Sequence, residues 1–521
     1  MRVEHFLDHS GHLHPDKTAL ILGEHRYTYR HWLSAADRLA HWLQSQGLQR
    51  GQRVVLFLDN SFEAATSLFA ALKAGAVFSP VNPTTKADKL AWILNNCRAT
   101  ALITHARLLP LVQSIRPQVP SLKLLLVTGV PDHPLADATL WDSALAPAAD
   151  TPLDVPGIDL DLAMLIYTSG STGFPKGVMM THRNIVAAAT SITTYLQNSP
   201  DDILLNVLPL SFDYGLYQIL MTAKLGMTLI LGKGFVFPET VLQKLKQEKV
   251  TGFPLVPTIA SILLQHQSLK PGDFPHLRYI SNTAAALPPA HIQKLQDLFP
   301  TTRIYSMYGL TECKRCTYLP PEQLKARPGS VGIAIPNTEA WIIDDAGHKL
   351  GPNVVGELVI RGSHVMQGYW ENPEATDKVL RPGPYPWEKV LHTGDLFKMD
   401  EAGFLYFVGR KDDILKTKGE KVSPKEIENV LYALPGVQEA AVVGLPDAIL
   451  GMALKAIIVP AEPNGLSEQQ ILRHCAAHLE DHLIPKFVEF RAHLPKTSSG
   501  KIHRQALQAE ALGQPFTIPE E

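Results

Sequence analysis

Short apolar runs of strand length alternate with amphipathic stretches of helical length through the first part of the chain. Apolar side chains recur at helical spacing between Trp32 and Leu43, and Gly47 ends this stretch. An apolar run follows at 54–58, a second helical stretch at 60–72, and another apolar run at 76–81. Because a repeated strand–helix–strand order gives parallel strands with helices on their faces, this pattern predicts an α/β fold with mostly parallel sheets.

A second, smaller unit is predicted toward the C-terminus, after a charged run that begins at Gly409. Residues 427–434 and 469–479 have helical patterns, whereas the apolar runs at 440–444 and 456–459 have strand length. Two helices and two strands in about a hundred residues indicate a compact α+β module.

The composition narrows the classes of protein. Of the 521 residues, 45% are hydrophobic, which is enough for a large core and for two or three domains. Lys and Arg number 48 against 50 for Asp and Glu, so no basic excess indicates nucleic acid or an anionic membrane. The four cysteines favour a reducing compartment over a disulfide framework. The start of the sequence does not resemble a signal peptide and no apolar stretch approaches the length of a membrane span, so we expect a cytoplasmic protein.

One stretch combines glycines, hydroxyl side chains and a lysine: Tyr167-Thr-Ser-Gly-Ser-Thr-Gly-Phe-Pro-Lys-Gly177. Its glycines let a ligand approach the backbone, its hydroxyls can donate hydrogen bonds to phosphate oxygens, and Lys176 adds a positive charge. A Walker A loop is excluded, because Lys176 lies between Pro175 and Gly177 and not before a Ser or Thr that opens a helix. The stretch therefore predicts a polyphosphate-binding loop between two strands.

This run resembles the signature loop of the adenylate-forming family, which includes acyl-CoA synthetases, the adenylation domains of peptide synthetases, and luciferases. Further family motifs follow in the family's order, so the resemblance extends from about Asp16 to Arg504. It implies a large α/β N-terminal domain and a smaller, mobile α+β C-terminal domain. The implied parts are an AMP-binding domain at 1–408, a hinge at 409–413 that pivots at Asp412, and a lid domain at 414–521.

The resemblance assigns most of its motifs to ATP and Mg²⁺. In Tyr305-Ser-Met-Tyr-Gly-Leu-Thr-Glu312, Tyr308 is suited to stack on the purine, Thr311 to donate to the α-phosphate and Glu312 to bind Mg²⁺. Asp395 is suited to accept hydrogen bonds from both ribose hydroxyls, and Arg410 is expected to reach the nucleotide. The implied nucleotide contacts are Thr168, Ser169, Gly170, Ser171, Thr172, Gly173, Lys176, Ala284, Tyr308, Thr311, Asp395, Arg410 and Lys501.

The resemblance also places one wall of a carboxylic-acid pocket at residues 208–218. Asp213 lies there among apolar and aromatic residues, and amino-acid-activating relatives have an aspartate at this point that pairs with the substrate ammonium. A buried carboxylate is costly without a cation, which an amino acid would supply. Alternatively, Asp213 caps the helix that follows. The expected pocket residues are Asp213, Tyr214, Tyr217, Asn282, Met307, Arg315 and Cys316.

Cys313 and Cys316 have a spacing that also occurs in zinc and redox sites. The other cysteines, Cys97 and Cys475, are far away in the sequence, so no four-ligand zinc set is indicated. By family position, Arg315 and Cys316 are candidates for the lining of the pocket. Arg315 is expected either to contact an acidic group of the substrate or to form an outward salt bridge.

Pro495-Lys-Thr-Ser-Ser-Gly-Lys501 resembles the family's terminal lysine motif, in which a lysine on the mobile domain enters the site and neutralises developing charge. The implied catalytic residues are Lys501, Lys176, Thr311 and Glu312. The implied reaction is an AMP-forming ligation: a small carboxylic acid attacks the α-phosphorus of Mg-ATP, and a thiol then takes the acyl group. That thiol belongs to coenzyme A or to a phosphopantetheine carrier protein in trans.

Two other functions remain open from the sequence. One is a stand-alone adenylation enzyme that activates an amino acid and loads a separate carrier protein, which Asp213 favours. The other is a nucleotide-binding regulator without turnover, and the presence of Lys176, Glu312, Asp395 and Lys501 argues against it.

Overall fold

The computed structural model describes residues 1–131, 137–168, 175–266, 268–285, 287–411, 413–417, 420–447, 451–462, 465–497 and 501–514. Helices and strands alternate through the N-terminal region. The elements up to the glycine-rich stretch are α1 (His5–Leu13), β1 (Thr18–Leu22), β2 (His25–Thr28), α2 (Tyr29–Ser45), β3 (Arg53–Phe57), α3 (Phe62–Lys73), β4 (Val77–Pro80), α4 (Ala87–Asn96), β5 (Ala99–His105), α5 (Leu109–Ile115), β6 (Leu124–Thr128), β7 (Thr139–Leu140), α6 (Trp141–Leu145) and β8 (Leu162–Thr168).

The middle of the chain continues the alternation and then changes to strands. Its elements are β9 (Lys176–Thr181), α7 (His182–Tyr195), β10 (Ile203–Asn206), α8 (Asp213–Leu225), β11 (Thr228–Leu231), α9 (Pro238–Gln247), β12 (Gly252–Leu255), α10 (Pro257–Gln265), β13 (Tyr279–Asn282), α11 (Pro289–Leu298), β14 (Arg303–Tyr308), β15 (Thr317–Leu319), β16 (Ser330–Ala334), β17 (Thr338–Ile343), β18 (Gly356–Gly362), β19 (Gly368–Tyr369), α12 (Pro373–Val379), β20 (Leu380–Pro382), β21 (Lys389–Met399) and β22 (Leu405–Arg410).

The C-terminal part is smaller and has its own apolar core, to which Ile427, Leu431, Ala440 and Ile471 contribute. Strands β25 and β26 are antiparallel, and β27 joins β26 in parallel. The predicted boundaries at 408 and 414 stay predictions. The elements are β23 (Leu415–Thr417), β24 (Glu420–Val422), α13 (Pro424–Ala433), β25 (Val437–Asp447), β26 (Gly451–Pro460), α14 (Glu468–His478), β27 (Phe487–Phe490) and α15 (Arg504–Ala511).

Two sheets form the framework of the N-terminal region. In the described residues, one has the strand order β19-β9-β8-β4-β3-β5-β6-β7, and the other has the order β17-β18-β21-β22-β16-β15-β14-β13-β12-β10-β11-β1-β2 with β20 beside β21. Strands β3, β4, β5 and β6 are parallel, as are β10 to β14 where they pair. The α/β fold with a smaller C-terminal unit is confirmed. The other part of the larger sheet, in the order β14-β15-β16-β22-β21-β18-β17, is antiparallel throughout. The alternation of strands and helices in the sequence does not predict this part.

Local interactions explain where several helices begin. Helix α2 starts after Thr28 and α3 after Ser61, and each of these side chains accepts a hydrogen bond from a backbone N–H in the first turn. Helix α7 has a full capping box between Thr181 and Asn184. The amide of Asn184 also donates to the carbonyl oxygens of Ser363 and Val365, each at 2.8 Å. These two bonds join α7 to the loop that precedes β19. In the described part of the chain, no helix is long and apolar enough to span a bilayer.

Candidate active site

The predicted polyphosphate loop lies at the end of an antiparallel strand pair. Strands β8 and β9 run together until Thr168, which pairs with Lys176. Ser169, Gly170, Ser171, Thr172 and Gly173 fall outside the described residues, as does the predicted pivot, Asp412. The hairpin therefore brings Thr168 and Lys176 side by side, and the predicted loop connects them.

Asp395 and Tyr308 are in direct contact. The Tyr308 hydroxyl donates a hydrogen bond of 2.6 Å to Oδ2 of Asp395, and Nε of Arg410 lies 3.4 Å from Oδ1. Burial raises the pKa of Asp395, and Arg410 is the main group that opposes this effect. Oδ1 is buried and finds no hydrogen-bond partner within the described ranges. Asp395 therefore keeps a buried acceptor that a ribose hydroxyl would satisfy.

Glu312 and Lys176 are connected through Tyr369. The Tyr369 hydroxyl donates to Oε1 of Glu312 at 2.7 Å, and Nζ of Lys176 lies 5.2 Å from the centre of the Tyr369 ring. Strand β19 positions Tyr369 by pairing with β9, the strand that begins with Lys176. Two predicted catalytic residues thus meet at one point, and a hydroxyl orients the carboxylate expected to bind Mg²⁺.

Lys501 comes from the C-terminal part and lies within electrostatic reach of the N-terminal carboxylates. Desolvation by the surrounding groups lowers the pKa of its ammonium, while Asp213, followed by Asp395 and Glu312, opposes this effect. The residue as a whole keeps some solvent-exposed surface. In this arrangement of the two parts, Lys501 lies at the same site as the predicted nucleotide residues.

Asp213 is the first residue of α8 and is paired with a cation of the chain itself. Nη1 of Arg315 lies 3.8 Å from Oδ2 of Asp213, and both side chains are buried. The Arg315 guanidinium also lies over the ring of Tyr214, at 4.4 Å from its centre. The N-cap of α8 is Phe212, so the capping role considered for Asp213 is not realised. The outward salt bridge considered for Arg315 is also wrong, because this residue is 4% exposed and faces Asp213.

Four other predicted pocket residues, Tyr214, Asn282, Met307 and Cys316, have contacts that the structure describes. Tyr214 donates a hydrogen bond of 2.7 Å to the carbonyl oxygen of Ser281, next to Asn282. Asn282 donates to Ala285, but its Oδ1 is buried without a partner among the residues described. Met307 accepts a contact of 2.9 Å from the Tyr195 hydroxyl, and Cys316 lies 2.9 Å from Cys313, sulfur to sulfur. The lining that these residues supply is polar as well as apolar.

A tight turn between β14 and β15 holds Glu312, Lys314 and Arg315. A Cβ on Gly309 would lie 2.0 Å from the Lys314 carbonyl oxygen, so only glycine allows this close approach. Lys314 has a φ of +66° and Ala284 a φ of +77°, in the left-handed region that costs a residue with a side chain about 1 kcal/mol. Strain of this kind is concentrated where the backbone approaches ligands.

Sequence reasoning missed two residues of this site. Gly368-Tyr-Trp370 reads as structural, yet Tyr369 contacts Glu312 across 57 residues of sequence. Lys314 lies between Cys313 and Cys316 and has no role assigned from the sequence, yet it is fully buried. Burial lowers the pKa of Lys314, and Asp213 and Glu312 oppose this effect. No local sequence pattern identifies either role, because both depend on contacts between distant elements.

The side chains present fit ATP and a divalent cation. Asp395 offers a buried oxygen without a hydrogen-bond partner, Glu312 is held by one oxygen so that the other is available to a cation, and Lys176 and Lys501 supply positive charge. An enzyme that joins the α-phosphate of ATP to a carboxylic acid needs such acceptors, a cation ligand and positive charges around the reacting phosphate. The fold and the cleft thus define the class of two-domain adenylate-forming enzymes.

Comparison with known proteins identifies the family. The family model described as AMP-binding enzyme matches residues 7–370, and the one described as AMP-binding enzyme C-terminal domain matches residues 426–501. A long-chain-fatty-acid–CoA ligase of Bacillus subtilis is 33% identical over 525 residues, which cover 95% of this chain and 92% of that protein.

Solved structures of CoA ligases have the same fold. The anthranilate CoA ligase AuaEII in complex with anthranoyl-AMP has a TM-score of 0.89 at 28% identity, and the match covers 98% of this chain and 97% of that one. ATP-bound MatB from Rhodopseudomonas palustris has a TM-score of 0.87 at 28% identity, covering 98% and 99%.

The chain belongs to the family of AMP-binding enzymes. It is an ATP-dependent, AMP-forming acid–thiol ligase of the acyl-CoA synthetase type, a class that uses ATP, Mg²⁺ and coenzyme A. The recognition of the family and the prediction of this reaction type are confirmed. The amino-acid alternative is not favoured.

Proposed function

We propose that this enzyme joins a small carboxylic acid to coenzyme A through an acyl-adenylate. Residues 1–408 hold ATP and the acid, residues 409–413 act as the hinge with Asp412 as pivot, and residues 414–521 carry Lys501. The observation that carries the proposal is the position of Lys501 within electrostatic reach of Asp213, Asp395 and Glu312. This arrangement of the N-terminal and C-terminal parts suits the adenylation step, because it brings the Lys501 ammonium to the predicted nucleotide site.

In the first step, a carboxylate oxygen of the acid attacks the α-phosphorus and pyrophosphate leaves. Asp395 accepts hydrogen bonds from the ribose hydroxyls while the aromatic ring of Tyr308 faces the base. Thr168 and Lys176 bind the phosphates together with residues 169–173, Ala284 borders the base, and Thr311 donates to the α-phosphate. Glu312 would hold Mg²⁺, and the bound cation would offset the negative charge of the phosphates. Lys501 and Arg410 offset the charge that develops during attack, so the protein acts mainly by positioning and electrostatics.

In the second step, the thiol sulfur forms a bond to the acyl carbon, AMP leaves with the electrons of the broken bond, and the thiol proton passes to solvent. Lys501 must leave the site for the thiol to enter, which the hinge permits. The choice of coenzyme A over a carrier protein is supported by the CoA ligases to which this chain is similar.

An acid without an ammonium group is favoured as the substrate, because the Asp213 carboxylate already has Arg315 as its partner. A ligand ammonium would have to compete with this guanidinium. Met307, Tyr214 and Cys316 then serve as pocket walls.

Exchange of labelled pyrophosphate into ATP tests the proposal when it is measured across a panel of carboxylic and amino acids. We expect exchange with at least one carboxylic acid, and formation of the acyl thioester and AMP when coenzyme A is added. If no acid supports exchange, the proposed function is wrong. If amino acids alone support it, the acid class is wrong.

A further inference from the structure

The ammonium of Lys314 is the least expected group in the acid pocket. The residue is 0% exposed, and its Nζ is without a hydrogen-bond partner in the part of the chain that the structure describes. Its electrostatic partners are Asp213, the aspartate of the acid pocket, and Glu312. An ammonium carries three donors and no acceptor, so such a position leaves it unsatisfied.

The charges around Lys314 cancel only while Glu312 has no cation of its own. Lys314 and Arg315 carry two positive charges and Asp213 and Glu312 two negative ones, with Nη1 of Arg315 at 3.8 Å from Oδ2 of Asp213. The proposed function assigns Glu312, which the Tyr369 hydroxyl orients, to the divalent cation. With Glu312 used in this way, one positive charge of the pocket is left for a group that the protein does not supply.

A second unsatisfied donor belongs to the same cluster. The hydroxyl of Tyr217 is buried, finds no hydrogen-bond partner among the residues described, and has Asp213 and Arg315 as its electrostatic neighbours. Unpaired buried donors are rare in folded proteins, because their desolvation is not compensated. The Lys314 ammonium and the Tyr217 hydroxyl are two such donors beside an excess positive charge. Together they are complementary to a ligand group that is negatively charged and accepts hydrogen bonds.

A purely structural role explains Lys314 poorly. A methionine fills a similar volume without a buried charge, and the turn holds this residue at a strained φ of +66°. The guanidinium of Arg315 already neutralises Asp213. The cost of placing an ammonium here is therefore best explained by a ligand group that pairs with it.

We propose that the substrate of this enzyme carries a second carboxylate besides the one that is activated, and that Lys314 and Tyr217 bind it. This inference rests on the proposed function and narrows its acid to the dicarboxylic class. The two oxygens of the second carboxylate accept hydrogen bonds from the Lys314 ammonium and the Tyr217 hydroxyl, while Arg315 holds Asp213 away from it. A plain hydrocarbon chain would leave both donors unpaired.

The test compares matched pairs of acids that differ in one carboxylate. Straight-chain dicarboxylic acids of four to ten carbons are compared with the monocarboxylic acids of equal length, and phthalic acids with benzoic acid, by formation of AMP and acyl thioester with ATP and coenzyme A. We expect kcat/KM to be about 100-fold higher for at least one dicarboxylic acid than for its monocarboxylic counterpart.

Variants identify the group responsible for this preference. Lys314→Met is expected to lower kcat/KM for the dicarboxylic acid about 100-fold relative to kcat/KM for the monocarboxylic acid, and to melt no lower than the wild type. Tyr217→Phe deletes one hydroxyl and is expected to lower the same preference about 10-fold with less risk to folding. Lys325→Met makes the same substitution at an exposed position and should change neither value.

The outcomes separate this inference from the proposed function. One outcome is that the enzyme forms AMP but prefers monocarboxylic acids, and that Lys314→Met and Tyr217→Phe do not change this preference. That outcome would overturn the second-carboxylate site and leave the ligase function intact. The absence of AMP formation with every acid would overturn the proposed function and this inference with it.

Discussion

The hydroxyl of Tyr369 donates a hydrogen bond of 2.7 Å to Oε1 of Glu312, although Tyr369 lies on β19, a two-residue strand paired with β9, and Glu312 lies on the turn after β14. The bond joins the two sheets of the N-terminal region at the point where the nucleotide motifs meet. It fixes one carboxylate oxygen and thereby the direction of the other. Metal-binding carboxylates commonly depend on such neighbours for their orientation.

Replacing Tyr369 with Phe tests this relationship. Because the variant removes the bond that orients Glu312, we expect Mg²⁺ to bind about 10-fold more weakly, with little change in folding. The measurement is the rate of pyrophosphate exchange against free Mg²⁺ at saturating acid. Tyr385→Phe, at a partly exposed tyrosine, is the matched control. An unchanged half-saturating concentration of Mg²⁺ in Tyr369→Phe would disprove the orienting role.

Lys501→Ala separates the two half-reactions. Removal of the ammonium takes away positive charge from the point where the carboxylate attacks, so we expect adenylation to slow by about 100- to 1000-fold. Transfer from a supplied acyl-adenylate to coenzyme A should stay within about 3-fold of the wild type, because Lys501 has then left the site. Lys486→Ala, in the same C-terminal part and paired with Asp447, is the control. Adenylation at the wild-type rate would refute the role of Lys501.

The ring of His291 on α11 packs edge to face against the ring of Tyr432 on α13, with centroids 5.4 Å apart. This contact joins the N-terminal and C-terminal parts in the arrangement that brings Lys501 to the cleft. Burial lowers the pKa of His291 to about 4, so the imidazole is neutral at pH 7 and packs as an aromatic ring.

His291→Ala and Tyr432→Ala are expected to slow adenylation about 3- to 10-fold each, because an aromatic pair contributes about 0.5–1.5 kcal/mol to the closed arrangement. Thioester formation from a supplied adenylate should be unaffected. The double variant should be no slower than the slower single variant, since both remove the same contact. Fully multiplicative effects would show that the two residues act independently.

Much of the fold follows from the sequence because its signals are local. The helical spacing from Trp32 to Leu43 corresponds to α2, and the apolar run at 54–58 to β3. The antiparallel part of the larger sheet does not follow, since β16 pairs with β22 across more than 70 residues and no short pattern encodes that partnership.

The candidate site follows from the sequence only in part, because contacts between residues far apart in the sequence leave no local pattern. Motifs carry Tyr308, Glu312 and Asp395 because each motif is contiguous. The partner of Asp213 depends on how α8 packs against the turn at Arg315, so the sequence leaves two interpretations open and the structure supplies a third, an internal ion pair. Lys314 is visible in the sequence, but its burial is not.

Glu4 is a buried carboxyl group at the start of α1, far in sequence from the active-site motifs. It lies 3.0 Å from Nε of Arg2 and 3.5 Å from Nδ1 of His182, and it is 3% exposed. Burial raises the pKa of Glu4 from 4.5 to about 7, and it lowers the pKa of His182 from 6.5 to about 4. Each group therefore favours its neutral form in the folded protein.

Glu4→Gln should stabilise the protein more at pH 8 than at pH 5. A raised pKa in the folded state means that the stability linked to Glu4 is fully present below pH 4.5 and is lost as the pH rises through 7. The amide of the variant carries no charge at either pH. Above pH 7 the variant therefore avoids a loss of folding free energy on the order of 2 kcal/mol, which corresponds to a melting temperature about 2–5 °C higher than that of the wild type. The loss of stability that His182 contributes below pH 6.5 occurs in both proteins. Thermal melting of both proteins at pH 5 and pH 8 measures the effect, and an equal difference at the two pH values would show that Glu4 does not titrate in this window.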